Sequence, residues 1–106
     1  MQVPIELDST GWQVVCQPLR EQAPGLEVWA FGSRARHTAK PYSDLDLALI
    51  TDAPMSLAQM AQIHTAFEGS DLPIRVDIVD WAATGEAFRA IIARDRVVVQ
   101  QASGDA

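Results

Sequence analysis

The chain has 106 residues, a formal net charge of -6 and a single cysteine, Cys16. A chain of this length fits one small domain, expected over residues 1–106, without a second substrate-binding domain, and one cysteine excludes an internal disulfide. The acidic excess argues against a nucleic-acid backbone as the main ligand, because phosphates are bound by basic surfaces. With no membrane span or signal segment evident, we expect a cytoplasmic location.

The first predicted element is a helix over about residues 11–23. Thr10 and Gln13 form a capping-box pattern at its start, and Pro24 with Gly25 ends it. Pro18 lies inside this stretch and cannot donate a backbone hydrogen bond. We therefore expect the helix either to kink at Pro18 or to begin late.

The remaining elements alternate between short strands and helices. Ser56 with Gln59 forms another capping box that predicts a helix closed by Gly69, and Thr84 is expected to cap a last helix. Short apolar runs predict strands over residues 27–31, 45–50 and 74–79, with a further short strand over residues 97–99. The sequence therefore predicts an α/β (α+β) domain with a small mixed sheet flanked by helices.

A glycine and a serine follow the first predicted strand. Gly32 allows a sharp turn with close backbone approach to a phosphate, and Ser33 offers a hydroxyl and an amide at the start of a short helical turn through Arg36. Arg34 and Arg36 add positive charge. The pair alone is common in loops, but with the acids that follow it predicts a phosphate-binding turn.

Two aspartates open the second strand. Residues at i and i+2 of a strand share a face, so the Cα atoms of Asp44 and Asp46 should lie roughly 7 Å apart with both carboxylates on one side. Mg²⁺ prefers hard oxygen ligands and is often held by one or two carboxylates plus substrate phosphates. The alternative interpretation is a half-exposed strand with a solvated face.

The surroundings of this pair favour a cation site. The same strand face continues with Ala48 and Ile50, which are apolar, so the carboxylates lie at the margin of a buried face. No Lys or Arg occurs between Tyr42 and Ser70 to neutralise them. Carboxylates in such a position need a compensating positive charge.

Asp77 is the expected third member of the site. If its strand pairs beside the strand of Asp46, Asp77 can face the same cleft as a metal ligand or as a general base for an incoming hydroxyl. The alternative is a charge that protects an edge strand from aggregation. Asp80 competes for this role, but it ends the strand and is more typical of a turn residue.

This combination resembles a known superfamily. Gly32-Ser33, ten intervening residues and Asp44-Leu45-Asp46 match the signature of the DNA polymerase β-like nucleotidyltransferases. Phe-Gly-Ser-Arg-Ala-Arg at residues 31–36 and Tyr-Ser-Asp-Leu-Asp-Leu-Ala at residues 42–48 are similar to its minimal nucleotidyltransferase branch.

The resemblance implies a fold, a chemistry and a partner. It implies a nucleotidyltransferase fold in which Asp44, Asp46 and Asp77 hold Mg²⁺ and Gly32 and Ser33 contact the phosphates of ATP. It also implies an antitoxin that forms a hetero-oligomer with a HEPN-domain RNase toxin and transfers AMP to a tyrosine of that toxin.

Two alternatives remain open at this point. The chain could silence a toxin by binding alone, or it could transfer AMP to a small hydroxylated molecule such as an antibiotic. One departure from the branch is visible, since His37 stands where such proteins often have glycine. With Arg34, Arg36 and Lys40, His37 belongs to a basic loop that either contacts the triphosphate or is simply solvated.

Overall fold

The structure, a computed structural model, describes residues 2–103. In chain order these residues form α1 (Ser9–Gln22), β1 (Glu27–Phe31), α2 (Ser33–Arg36), β2 (Leu45–Ile50), α3 (Leu57–Glu68), β3 (Val76–Asp80), a 3-10 helix (Trp81–Ala83), α4 (Glu86–Asp95) and β4 (Val97–Gln100). The predicted α/β class is confirmed. The strand predicted over residues 74–79 begins two residues later and ends at Asp80.

The sheet is mixed, as predicted. Its strand order is β3-β2-β1-β4, with β1 antiparallel to both neighbours and β2 parallel to β3. The parallel pair is joined by α3, the usual crossover for parallel strands. Because β2 and β3 run in the same direction, their first residues lie at the same end of the sheet.

The two faces of the sheet are covered differently. Leu45, Leu47 and Leu49 of β2 belong to the main core, which also contains residues of α1 and α3. The alternate residue Ala48 belongs to a smaller cluster with Phe31 and Ile92 of α4. Strand alternation therefore sends one face towards α1 and α3 and the other towards α4.

The first helix begins earlier than predicted. Its N-cap is Asp8, whose carboxylate accepts a hydrogen bond from the Gly11 N–H at 2.6 Å, so the predicted cap at Thr10 is wrong. The helix also includes Pro18, which is buried, and the predicted late start is wrong as well. Within residues 2–103, no helix is long and apolar enough to cross a membrane.

The other helix boundaries agree with prediction at α3 and disagree at α4. Ser56 and Gln59 form the predicted capping box, and Gly69 is the C-cap of α3. The N-cap of α4 is Gly85 rather than Thr84. The Thr84 hydroxyl instead donates to the Asp80 carbonyl at 2.7 Å, which ties it to the preceding 3-10 helix.

Candidate active site

The sheet register places two of the predicted acids side by side. Asp46 of β2 pairs with Asp77 of the parallel strand β3 and with Phe31 of the antiparallel strand β1. Directly paired residues share a face, so these three side chains form a row across the sheet. Asp44 lies immediately before β2, at the same end of the sheet.

One end of the row lies beside a pair of aromatic side chains. Phe31 is buried, and the ring of Phe88 from α4 meets it edge to face with centroids 5.7 Å apart. Asp46 therefore has apolar neighbours on one side and carboxylates on the other. This is the margin of a buried face that the sequence pattern predicted.

The environment of Asp46 disfavours its charged form. The pKa of Asp46 is raised to about 6, first by burial and then by the negative charges of Asp77 and Asp44. Asp77 pairs directly with Asp46, and Asp44 lies two residues before it, so the three acids are close neighbours. A cation bound between them would lower the repulsion.

An arginine already supplies part of that positive charge. The Arg75 guanidinium donates to Asp77 at 3.0 Å and lies 3.8 Å from Asp44, while 74% of its side chain is exposed. Among residues 2–103, no group of three His, Cys, Asp or Glu side chains has the geometry of a metal centre. Two of the acids, Asp44 and Asp77, are instead linked through their shared contact with Arg75.

Sequence reasoning missed Arg75, although a signal was present. Arg75 precedes Asp77 by two residues, and residues so spaced in an extended chain share a face. The stretch between Tyr42 and Ser70 contains no Lys or Arg, and Arg75, immediately before β3, supplies a positive charge to its acids.

Gly32 is required by the position of Asp46. Its backbone has φ 77° and ψ -158°, a region that residues with a side chain rarely adopt. A Cβ at this position would collide with carboxylate oxygen Oδ2 of Asp46. The turn at the end of β1 and the acid on β2 are therefore packed directly against each other.

The residues after Gly32 form the predicted helical turn. The N–H groups of Ala35 and Arg36 both donate to the Gly32 carbonyl at 3.1 Å. Ser33 is the first residue of α2 and is partly exposed beside Gly32. Gly32 thus lies against Asp46, and Ser33 follows it in the turn that is expected to bind phosphate.

Arg34 has a different role from the predicted one. Its side chain is buried, and its guanidinium donates to the carbonyls of Glu6, Lys40, Pro41 and Ser43 at 2.8 to 3.3 Å. These contacts hold the loop that leads to Asp44. These four hydrogen bonds already use the donors of the guanidinium. They therefore disagree with the prediction that Arg34 binds the nucleotide.

Arg36 and His37 lie on the outside of the same turn. Arg36 is exposed and donates to Asp95 at 3.2 Å. His37 is also exposed and adopts the left-handed conformation with φ 60°. Glycine adopts this conformation without strain, whereas a residue with a side chain is strained there.

Asp80 and the neighbouring Trp81 make structural contacts. Asp80 accepts hydrogen bonds from the Thr51 hydroxyl and from the Met55 N–H, so it joins β3 to the loop after β2. Trp81 lies in the 3-10 helix and packs against Trp29. Neither residue belongs to the row of acids.

A cavity of about 490 Å³ opens beside Asp77. It lies between the second half of α3 and the start of β3, and Arg75 and Asp77 are part of its lining. His64 and Glu68 of α3 line the opposite side. Asp77 shares its face of the sheet with Asp46 and Phe31, on the side of α4, so this cavity marks the edge of the sheet near Asp77 and not the face that carries the acids.

Solved structures with a similar fold are complexes of toxins and antitoxins. A crystal structure of a toxin-antitoxin with AMP-PNP matches with a TM-score of 0.71 and 19% identity, over 85% of this chain and 73% of that one. A tri-AMPylated HEPN toxin of Shewanella oneidensis with its MNT antitoxin matches with a TM-score of 0.68 and 16% identity, over 90% and 73% of the two chains. At these identities the likeness concerns the fold.

A sequence relative is closer. The chain is 44% identical over 97 residues to a probable protein adenylyltransferase MntA of Haemophilus influenzae, covering 92% of this chain and 85% of the relative. The sequence model described as polymerase beta, nucleotidyltransferase matches residues 18–103, which include the turn and all three acids. The chain therefore belongs to the polymerase beta nucleotidyltransferase family.

Proposed function

We propose that this chain is a Mg²⁺-dependent protein adenylyltransferase that acts as an antitoxin against a HEPN-domain RNase. The observation that carries the proposal is the row formed by Asp46 and Asp77 on adjacent parallel strands, with Gly32 packed against Asp46. The turn that we expect to bind phosphate therefore lies beside two of the expected cation ligands, which supports the proposal. The relationship to the MntA adenylyltransferase supports the same reaction.

The three acids suit Mg²⁺ chemically. Asp44, Asp46 and Asp77 offer only hard carboxylate oxygens, and the pKa of Asp46 is raised by burial and by the negative charges of the other two acids, which a cation would offset. Bound Mg²⁺ would polarise the phosphate oxygens and stabilise the charge that develops during transfer. Arg75 must release at least part of its contact with Asp77 for that carboxylate to serve as a ligand.

The protein's own groups then position the reactants. Gly32 and Ser33 offer backbone N–H groups and a hydroxyl to the phosphates of ATP, while Asp77 accepts the proton of the acceptor hydroxyl. The hydroxyl oxygen forms a bond to the α-phosphorus as the bond to the pyrophosphate group breaks. The products are an adenylylated acceptor and pyrophosphate.

We propose that the acceptor is a tyrosine of the toxin. The side chain of Asp77 is 39% exposed, which leaves the base accessible to a side chain from another protein. The net charge of -6 favours a partner with basic surface, as expected of an RNase. We propose a cytoplasmic location on the same grounds, because ATP and an RNase target would both be present there.

Intact-mass measurement tests the proposal. The purified chain is incubated with the product of the adjacent gene, ATP and Mg²⁺, with Asp46→Asn as the inactive control. We expect the partner to gain one or more adenylyl groups on tyrosine only with the wild-type chain. RNase inhibition by a tight complex with no mass change for any nucleotide would instead establish silencing by binding.

The same assay examines the small-molecule alternative. Each candidate hydroxylated compound, including aminoglycosides, replaces the partner protein in a parallel reaction. Nothing in the described residues forms a second domain to hold such a compound. Adenylylation of a compound with no modification of the partner would contradict the protein-directed function.

A further inference from the structure

A nearly buried carboxylate lies behind the phosphate-binding turn and takes no part in the chemistry described above. The side chain of Asp95 is only 4% exposed. It accepts a hydrogen bond from Arg36 of α2 at 3.2 Å and another from Arg94 at 3.0 Å. The first contact joins residues that are 59 positions apart in the chain.

The sheet register explains how Asp95 reaches the turn. Ala30 of β1 pairs with Val97 of the antiparallel strand β4. Continuing that register by two residues beyond the paired strands places Gly32 opposite Asp95. The backbone N–H of Gly32 contributes, after Arg94 and Arg36, to lowering the pKa of Asp95.

Local helix energetics give no reason for an acid at this place. Asp95 is the last residue of α4, where the partial negative charge of the helix terminus disfavours a carboxylate. Its contact with Arg94 joins adjacent residues, and the side chain of Arg94 is mostly exposed. The contacts with α2 and the Gly32 turn are therefore the ones that require a buried acid here.

We propose that Asp95 is a positioning residue for nucleotide binding, which fixes the Gly32–Arg36 turn by holding Arg36 from behind while Gly32 and Ser33 face the phosphates. The inference rests on the nucleotidyl-transfer function proposed above. Asp95 is the last residue of α4, just before β4. The phosphate-binding turn therefore depends on a segment of the chain that contributes no ligand. Arg36 then shapes the turn from its outer side.

Four single variants and one double variant test this role. Asp95→Asn keeps the shape of the side chain and removes its charge, and Asp95→Ala removes the carboxylate. Arg94→Ala is the matched control, because it deletes a partner of Asp95 on the helix side and leaves the contact with the turn. Arg36→Ala, alone and combined with Asp95→Ala, shows whether Asp95 acts through Arg36.

The measurements are binding of Mg²⁺-AMP-PNP by calorimetry, KM for ATP and kcat in the transfer assay, and the thermal midpoint without nucleotide. We expect Asp95→Asn to weaken nucleotide binding and raise KM about five- to tenfold with a smaller change in kcat, since coupled residues in one network contribute effects of this size. Arg94→Ala should bind like the wild type. The double variant should bind no more weakly than Arg36→Ala alone.

The outcomes separate this inference from the proposed function. Normal nucleotide affinity in folded Asp95→Asn and Asp95→Ala, beside normal binding by the wild type, would overturn the positioning role and leave the proposed function intact. Equal losses in the Arg94→Ala control would overturn it too, because they would indicate a general effect of α4. If the wild type binds no nucleotide, both proposals fail.

Discussion

The charge of Asp46 should destabilise the metal-free protein, so Asp46→Asn should raise its thermal midpoint. The ordinary pKa of 3.8 rises to about 6 in the folded state, a difference that corresponds to roughly 3 kcal/mol at about 1.4 kcal/mol per pH unit. The side chain is partly exposed, and solvent screening reduces this to about 1 to 1.5 kcal/mol. For a domain of this size the expected increase is roughly 4 to 10 °C.

The pH dependence gives this prediction its sign. Because folding raises the pKa, the folded state binds more protons than the unfolded state between pH 3.8 and about 6. The wild type therefore loses stability as the pH rises through that window, whereas the asparagine variant has no such titration. The difference between the two proteins should be largest above pH 6 and small near pH 4.

Thermal melts with chelator and with Mg²⁺-ATP provide the assay. Ligand at a hundred times its dissociation constant should stabilise the wild type by about 2.7 kcal/mol, and Asp46→Asn should show a smaller increase. Asp52→Asn, an exposed acid in the loop after β2, changes the net charge equally and serves as the control. A variant that melts lower without metal and keeps the full ligand shift would refute a shared site for the three acids.

Three further changes test other parts of the site. Asp44→Asn should abolish transfer in the mass assay, and activity within a few-fold of wild type at saturating Mg²⁺ would exclude it as an essential ligand. Arg75→Gln should lower the thermal midpoint of the protein measured with chelator but not the midpoint measured with Mg²⁺. Replacement of the exposed Arg20 by Gln should lower neither midpoint. His37→Gly should raise the midpoint by relieving left-handed strain of about 1 kcal/mol, partly offset by chain entropy, and His37→Ala, which keeps that strain, should not.

The sequence was sufficient to predict the sheet and the grouping of the acids. Alternation of apolar and acidic residues placed Asp46 and Asp77 on strands, and the structure pairs these two residues directly. Patterns of this kind are reliable because a shift by one residue would turn the whole apolar face of β2 towards solvent. The roles of the acids as metal ligands stay predictions.

Helix ends were less predictable, because several residues compete to cap them. Asp8 lies two residues before Thr10, and both residue types cap helices well. Because Asp8 is the N-cap, α1 begins at Ser9 and Thr10 lies inside the helix. At α4, Thr84 is used by the preceding 3-10 helix, and Gly85 becomes the N-cap without a side-chain hydrogen bond.

Arg34 and Arg36 show why residue type and motif position alone could not assign the basic residues. They are two positions apart in the single turn of α2, and two helical steps rotate the side chain by about 200°. Arg34 consequently points into the protein and binds four carbonyls, while Arg36 points outward and meets Asp95. Glu6, one of the four carbonyl partners of Arg34, and Asp95, the partner of Arg36, both come from distant parts of the chain. Since folding brings these partners to α2, only the folded structure distinguishes the arginine that fastens the loop before Asp44 from the one that contacts Asp95.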